Sequence, residues 1–156
     1  MTIGIIGSGA IGTAFARTLA RAGIEAIISN SRGPDSLKEL VRELAPSIKA
    51  GRREEAARAD IVFVAINWTK LPAALADLPD WNGRIVIDAN NPIEAPLFKP
   101  VDLKGRVSSE VFADLVPGAR RKGVQPPSRR GPGQQSEGGR RAARAFLFRQ
   151  RHRSKG

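Results

Sequence analysis

Along the chain, short apolar runs alternate with longer stretches whose apolar residues recur at helical spacing. "TIGIIG" is apolar and ends at a glycine, and "AIGTAFARTLARAG" then sets Ile11, Phe15, Leu19 and Ala22 on one face before stopping at Gly23. This predicts a strand, a tight turn and a helix. "IEAIIS" predicts a second strand, "PDSLKELVRELA" a helix opened by Pro34 and Asp35, and "REEAARA" a further short helix. "DIVFVAI" and "RIVIDAN" read as buried strands with "LPAALADL" as a helix between them, and "SSEVFADLV" reads as a helix with serine at its cap. Near-continuous apolar strands joined by helical crossovers imply an α/β fold, a doubly wound parallel sheet covered on both faces. No internal repeat is present.

Gly7, Gly9 and Gly12 spell G-x-G-x-x-G between the first predicted strand and the first predicted helix, the context this motif requires. Gly7 permits the tight turn, Gly9 lets the backbone approach a pyrophosphate, and Gly12 lets the helix pack closely on the strand. The helix N-terminus then offers amides and partial positive charge to the phosphates. The residue that reads the adenosine ribose belongs about 20 residues further on, at Asn30, Ser31 and Arg32. No carboxylate stands there. A carboxylate pairs with a free 2′-hydroxyl and repels a 2′-phosphate, whereas a serine hydroxyl and a guanidinium hydrogen-bond that phosphate, so the expected cofactor is NADP(H). The plain alternative is a polar turn carrying a solvated arginine.

At 156 residues the chain has room for one domain with a core. It contains no cysteine and no tyrosine, and its one histidine is His152. Disulfides, thiolate metal sites and cysteine nucleophiles are thereby excluded, and no metal is expected. No apolar stretch of about 18 residues and no signal sequence stands at the start, so a cytoplasmic protein without a membrane partner is expected. The net charge of +11 is distributed unevenly: residues 1–118 hold 14 basic and 14 acidic side chains, and the rest hold 12 basic side chains and Glu137. Dehydrogenases that move an alcohol proton need an acid or base, commonly histidine or tyrosine. Residues 1–118 have neither. Lys70 and Asp88 are possible substitutes, each with a plain reading as a solvated lysine or a turn-holding aspartate, and no catalytic side chain is assigned. Hydride exchange with a flavin-like ring asks mainly for two positioned rings and suits these side chains better.

"IGIIGSGAIGTAFARTLARAG", "SNSRGP", "ADIVFVAINW" and "VIDANNP" followed by "SSEVFADLVPGA" resemble the NADPH-dependent reductases of the deazaflavin coenzyme F420 and related dinucleotide-binding oxidoreductases. The resemblance covers residues 1–119. It implies a Rossmann NAD(P)-binding fold, with NADP held by Gly7, Ser8, Gly9, Ala10, Ile11, Ser31 and Arg32, and Asn30 adjacent. It also implies a nicotinamide side formed by Ala65, Ile66, Asn67, Asn90, Asn91 and Pro92. The second redox partner it implies is a small-molecule acceptor, coenzyme F420 or a flavin. Asn67 departs from the proline that relatives often carry before the tryptophan, which bears on the shape of that loop.

From Arg120 the texture changes to "RRKGVQPPSRRGPGQQSEGGRRAARAFLFRQRHRSKG", with Val124 the one large apolar residue before Ala145. Such composition cannot offset its chain entropy, and residues 120–156 are expected to be a basic, disordered tail following a domain at 1–119. Relatives continue here with an apolar strand. Codons for Arg120 to Pro127, read one base out of frame, permit Val-Val-Lys-Ala-Phe-Asn-His-Leu, and the same offset from Phe146 permits Phe-Phe-Ser-Gly-Asn-Asp-Thr-Glu-Ala-Lys, again like relatives. The tail therefore reads as a frameshift product, and the sheet is expected to lack its last strand. A homo-oligomer is expected only of the frame-restored protein. Two other readings stand beside the reductase: the N-terminal half of a pyrroline-carboxylate-reductase-like enzyme, and a non-catalytic NADP-binding protein whose basic tail binds nucleic acid. The tail lacks aromatic interleaving apart from Phe146 and Phe148, which disfavours nucleic acid as a partner.

Overall fold

The computed structural model describes residues 1–94 and 97–123, the last three as backbone only. The chain runs β1 (Ile3–Ile6), α1 (Ala10–Arg21), β2 (Ala26–Ser29), a 3₁₀ turn (Pro34–Leu37) leading into α2 (Lys38–Leu44), β3 (Ile48–Ala50), α3 (Arg53–Ala57) and β4 (Ile61–Val64). A second 3₁₀ turn (Trp68–Lys70) then leads into α4 (Leu71–Leu75), followed by β5 (Ile85–Asp88), β6 (Ile93–Glu94), β7 (Lys99–Pro100), α5 (Ser108–Leu115) and β8 (Arg120–Gly123). The main sheet has the order β3-β2-β1-β4-β5-β8 with every neighbouring pair parallel, and β6 and β7 form a separate antiparallel ribbon. This is the doubly wound Rossmann arrangement. The strand order reverses between β1 and β4, and a crevice opens at the carboxyl ends of those strands.

Strands β1, β2, β4 and β5 are largely apolar because both faces are covered. Ile3, Ile5, Ile28, Ile61 and Phe63 pack with Ala16 and Leu19 of α1 and Leu44 of α2 on one face. Ile6, Val62, Val64 and Val86 pack with Leu71 and Leu75 of α4 and Phe112 of α5 on the other, together with Trp68 and Trp81. Successive strand residues alternate between the two cores, as a period of two requires.

Three expectations are corrected. The buried face of α1 is Gly12, Ala16 and Leu19, and Ile11 is 49% exposed. Small residues let the helix lie close to the sheet, so Gly12 and Ala16 replace Ile11 and Ala22 on the buried stripe, while Leu19 stays in it and Phe15 packs at its edge. In α5, Ser108 is the first helical residue and not the cap; the Glu110 carboxylate reaches back to accept the Val107 amide at 3.3 Å. The last strand, expected to be missing, is formed by Arg120–Gly123, in register with Ile85–Asp88. A parallel ladder is made of main-chain groups, and the open edge of β5 accepts any backbone that is free of proline. The expected disorder and altered frame beyond Gly123 lie outside the described residues.

Candidate functional site

The site is built at the crevice between β1 and β4. Gly7 leaves β1 with a φ of 113°, a conformation that favours glycine, and its amide donates to the Ser29 carbonyl at 2.9 Å, which ties the turn to the end of β2. Ser29 is fully buried, and its hydroxyl donates to the Ile5 carbonyl at 3.0 Å. A side chain on Gly12 would run into the Gly7 carbonyl, whereas one on Gly9 would meet no heavy atom within 4 Å and would stand in the open crevice. Gly9 is also the N-cap of α1, and no side chain caps that end. The first helical amides thus face the crevice without a protein acceptor, the arrangement that takes up an anion.

The crevice is a cleft of about 560 Å³. Of the residues expected at the cofactor, Gly7, Ser8, Gly9, Asn30, Ser31, Arg32, Ala65, Ile66 and Asn67 line it. Ala10 borders a neighbouring shallow concavity with Ser8 and Gly9, and Ile11 projects from the first turn of α1. Asn90, Asn91 and Pro92 are not among the lining residues.

Two asparagines hold the walls in place. Asn30 donates from Nδ2 to the Ser8 hydroxyl at 3.1 Å and to the Ser36 hydroxyl at 2.9 Å, and its Oδ1 accepts the Arg32 amide at 2.9 Å. It therefore fastens the loop bearing Ser31 and Arg32 to the glycine turn and leaves those two side chains exposed at the mouth. Asn90 is buried, accepts the Ile66 amide on Oδ1 at 2.7 Å and donates from Nδ2 to Asp88 at 2.7 Å, which ties the end of β4 to the end of β5. Asp88 is spent on this turn, because it also accepts the Asn90 amide at 3.0 Å. Partial burial pushes its carboxyl above the usual 3.8, against the pull of those two hydrogen bonds. The turn-holding reading of Asp88 fits this geometry.

Sequence reasoning missed Arg53, Ala73 and Ala74, all of which line the cleft, and Lys70 lines it as well. Arg53 opens α3 and donates from Nη1 to the Ala73 and Ala74 carbonyls of α4, at 3.3 and 3.0 Å. The lining thus brings together Arg32, Arg53 and Lys70 and includes no carboxylate, imidazole, phenol or thiol. A cleft with this charge beside an uncapped helix suits a ligand carrying several phosphates. Among the described residues no group of histidines and carboxylates is placed to hold a metal, and no helix is long and apolar enough to cross a membrane.

Comparison with known proteins agrees with the architecture. A hypothetical protein from Sinorhizobium meliloti of known structure is 45% identical over 78% of this chain and 60% of its own length, with a TM-score of 0.72. This chain thus spans about 60% of that relative. A conserved hypothetical protein from Sinorhizobium meliloti 1021 shares the fold at 19% identity and a TM-score of 0.53, over 79% of this chain and 40% of its own. A 1-pyrroline-5-carboxylate reductase from Streptococcus pyogenes is matched at 22% identity over 95% of this chain and 66% of its own, with a TM-score of 0.49. No curated protein sequence matches. The family model described as NADP oxidoreductase, coenzyme F420-dependent, matches residues 2–92. That span takes in the glycine turn, the Ser-Arg pair and every residue lining the cleft, and with more than half of its length matched the chain belongs to the coenzyme F420-dependent NADP oxidoreductase family.

Proposed function

We propose that the chain holds NADP(H) in the β1/β4 cleft for hydride exchange with a small-molecule redox acceptor, a deazaflavin of the F420 type or a flavin. The observation that carries this reading is a cleft lined by three cations and no carboxylate, set against an uncapped helix N-terminus. The open space over Gly9 admits a pyrophosphate to the amides of α1, Ser31 and Arg32 stand where a 2′-phosphate is read, and Ala65, Ile66 and Asn67 flank the cleft from the end of β4. The bound nicotinamide would supply or accept the hydride. Besides the guanidiniums, Lys70 is the one charged side chain in the lining. Such a wall orients rings and excludes water better than it moves protons, which favours an acceptor that is itself a redox cofactor.

The test is a titration of the purified chain with NADPH and with NADH, following nicotinamide fluorescence and melting temperature in the same samples. NADPH should bind more tightly, and Arg32→Glu should weaken it about 10- to 100-fold while sparing NADH. Mixing the NADPH complex with oxidised F420 or FMN and following acceptor absorbance tests the second half. Tight NADPH binding with no reduction of either acceptor would retire the proposed acceptor class and leave the cofactor reading standing.

A further inference from the structure

Arg53 carries chemistry that the glycine turn and the Ser-Arg pair do not account for. It sits at the first position of α3, three residues past the end of β3, at the carboxyl edge of the sheet where ligands bind in this architecture. Its Nη1 donates to two carbonyls of α4, so the guanidinium plane is held by neutral acceptors and not by a carboxylate. Its nearest acid is the adjacent Glu54, 3.8 Å from Nη2, and both side chains remain partly open to solvent.

A guanidinium has five N–H donors. Nη1 spends its two on Ala73 and Ala74, and the described residues supply no hydrogen-bond acceptor to Nε or Nη2. Those two nitrogens form the side-on fork that grips two oxygens of one oxyanion. The residue is thus held by one edge, while among the described residues its Nε/Nη2 edge makes no hydrogen bond and only the long 3.8 Å ion pair to Glu54, and it lines the same cleft as Arg32.

We infer that Arg53 is a second phosphate reader of the cofactor cleft, gripping a phosphate of NADP(H) through its Nε/Nη2 edge while α4 holds the other side of the guanidinium. This rests on the proposed NADP(H) function and adds a residue to it. The phosphate chemistry could come from the 2′-phosphomonoester or from the pyrophosphate, and the two are separable by experiment. A lysine at this position could hold α4 or contact the anion, but could not offer a fork to either.

The experiment titrates the full native chain and Arg53→Met with NADPH, NADH and adenosine 2′-monophosphate, with a melting curve for each sample. Methionine keeps an unbranched stem and removes every donor. Arg53→Met should bind NADPH about 10- to 100-fold more weakly. Loss for NADPH and adenosine 2′-monophosphate with NADH unchanged assigns the 2′-phosphate; loss for NADPH and NADH with adenosine 2′-monophosphate unchanged assigns the pyrophosphate. Unchanged affinities overturn the inference. Equal loss for all three ligands also overturns it, because that is the signature of a displaced wall. Where Arg53→Met does not melt cooperatively, Arg53→Lys carries the same comparison. A native chain that melts cooperatively and binds none of the three ligands defeats the NADP(H) reading itself, and this inference with it.

Discussion

Alanine at Gly12 and alanine at Gly9 should have opposite effects, although the two glycines belong to one motif and lie three residues apart. At Gly12 the new Cβ would sit 2.9 Å from the Gly7 carbonyl carbon, closer still to its oxygen, and 3.6 Å from Ile5 Cγ2. An ordinary carbon contact is about 3.5–4.0 Å, so α1 must retreat from the turn by roughly 1 Å. The obstacle is backbone and cannot rotate away. Ala16 and Leu19 on the same helix face are buried in the core and would move with it. Overpacking of this kind costs about 1–3 kcal/mol, a large part of a domain stability of about 5–15 kcal/mol. For a unit of this size the melting temperature should fall by about 5–15 °C.

Gly9 has φ −74° and ψ −169°, a conformation open to alanine, and its Cβ would meet nothing within 4 Å. Its melting temperature should stay within about 2 °C of native, since fixing the unfolded chain slightly offsets any local loss. The methyl group would instead stand where a phosphate must approach the α1 amides. NADPH should bind at least about 10-fold more weakly, or about 1.4 kcal/mol. Calorimetric melts and fluorescence titrations on both variants test the pair. Native-like melting of Gly12→Ala would show that α1 does not press on the turn, and native-like affinity in Gly9→Ala would show that the dinucleotide does not pass over Gly9. Either result refutes the assignment of roles within the motif.

The fold carries two more expected outcomes. The folded Asp88 carboxyl holds its proton more tightly than the unfolded one, so its contribution to stability is complete below 3.8 and declines as pH rises through the folded value. Asp88→Asn, which keeps an oxygen acceptor for Asn90, should therefore melt as high as native or higher at neutral pH. That difference should shrink on acidification through the carboxylate range; a difference that grows instead would contradict the burial argument. Ending the chain at Ala119 should lower the melting temperature by several degrees relative to ending it at Gly123, because the shorter chain leaves the β5 edge without its ladder. Identical melts of the two truncations would mean that β8 adds nothing to the sheet.

Strands β1, β2, β4 and β5 were legible because each is an unbroken apolar run, the mark of a strand buried on both faces. β3 was not, since "IKA" is three residues long between Pro46 and Gly51 and shows no period. β8 was hidden for a different reason: "RRKG" carries no apolar signal, and its pairing is a property of the open edge beside it. The loss of β3 from the sequence reading also hid Arg53, because a residue shortly after a parallel strand lies at the ligand-binding edge only once that strand is recognised. The turn at Gly7 and the places of Gly9 and Arg32 on the cleft were legible because they depend on local geometry. The positioning work of Asn30 and Asn90 was not, because it joins segments 22 and 24 residues apart.

Every described residue that lines the cleft lies between Ile6 and Ala74, and the family match ends at residue 92. The described part of the cleft is therefore built by β1 to α4. Beyond β5 the chain changes character: Leu97, Phe98 and Val107 are 71%, 72% and 58% exposed. β6, which opens this part of the chain, lies against the Trp68–Lys70 turn, and Lys70 of that turn lines the cleft. Among the described residues, the segment after Asp88 thus borders the cleft through β6 without lining it. The cations of the cleft come from the loop after β2, the start of α3 and the turn before α4, a charge that suits a ligand bearing phosphates. Apolar surface that a ring can rest on is present in the cleft itself, at Ile6, Ala65, Ile66, Ala73 and Ala74, and more stands exposed after β5 at Leu97, Phe98 and Val107.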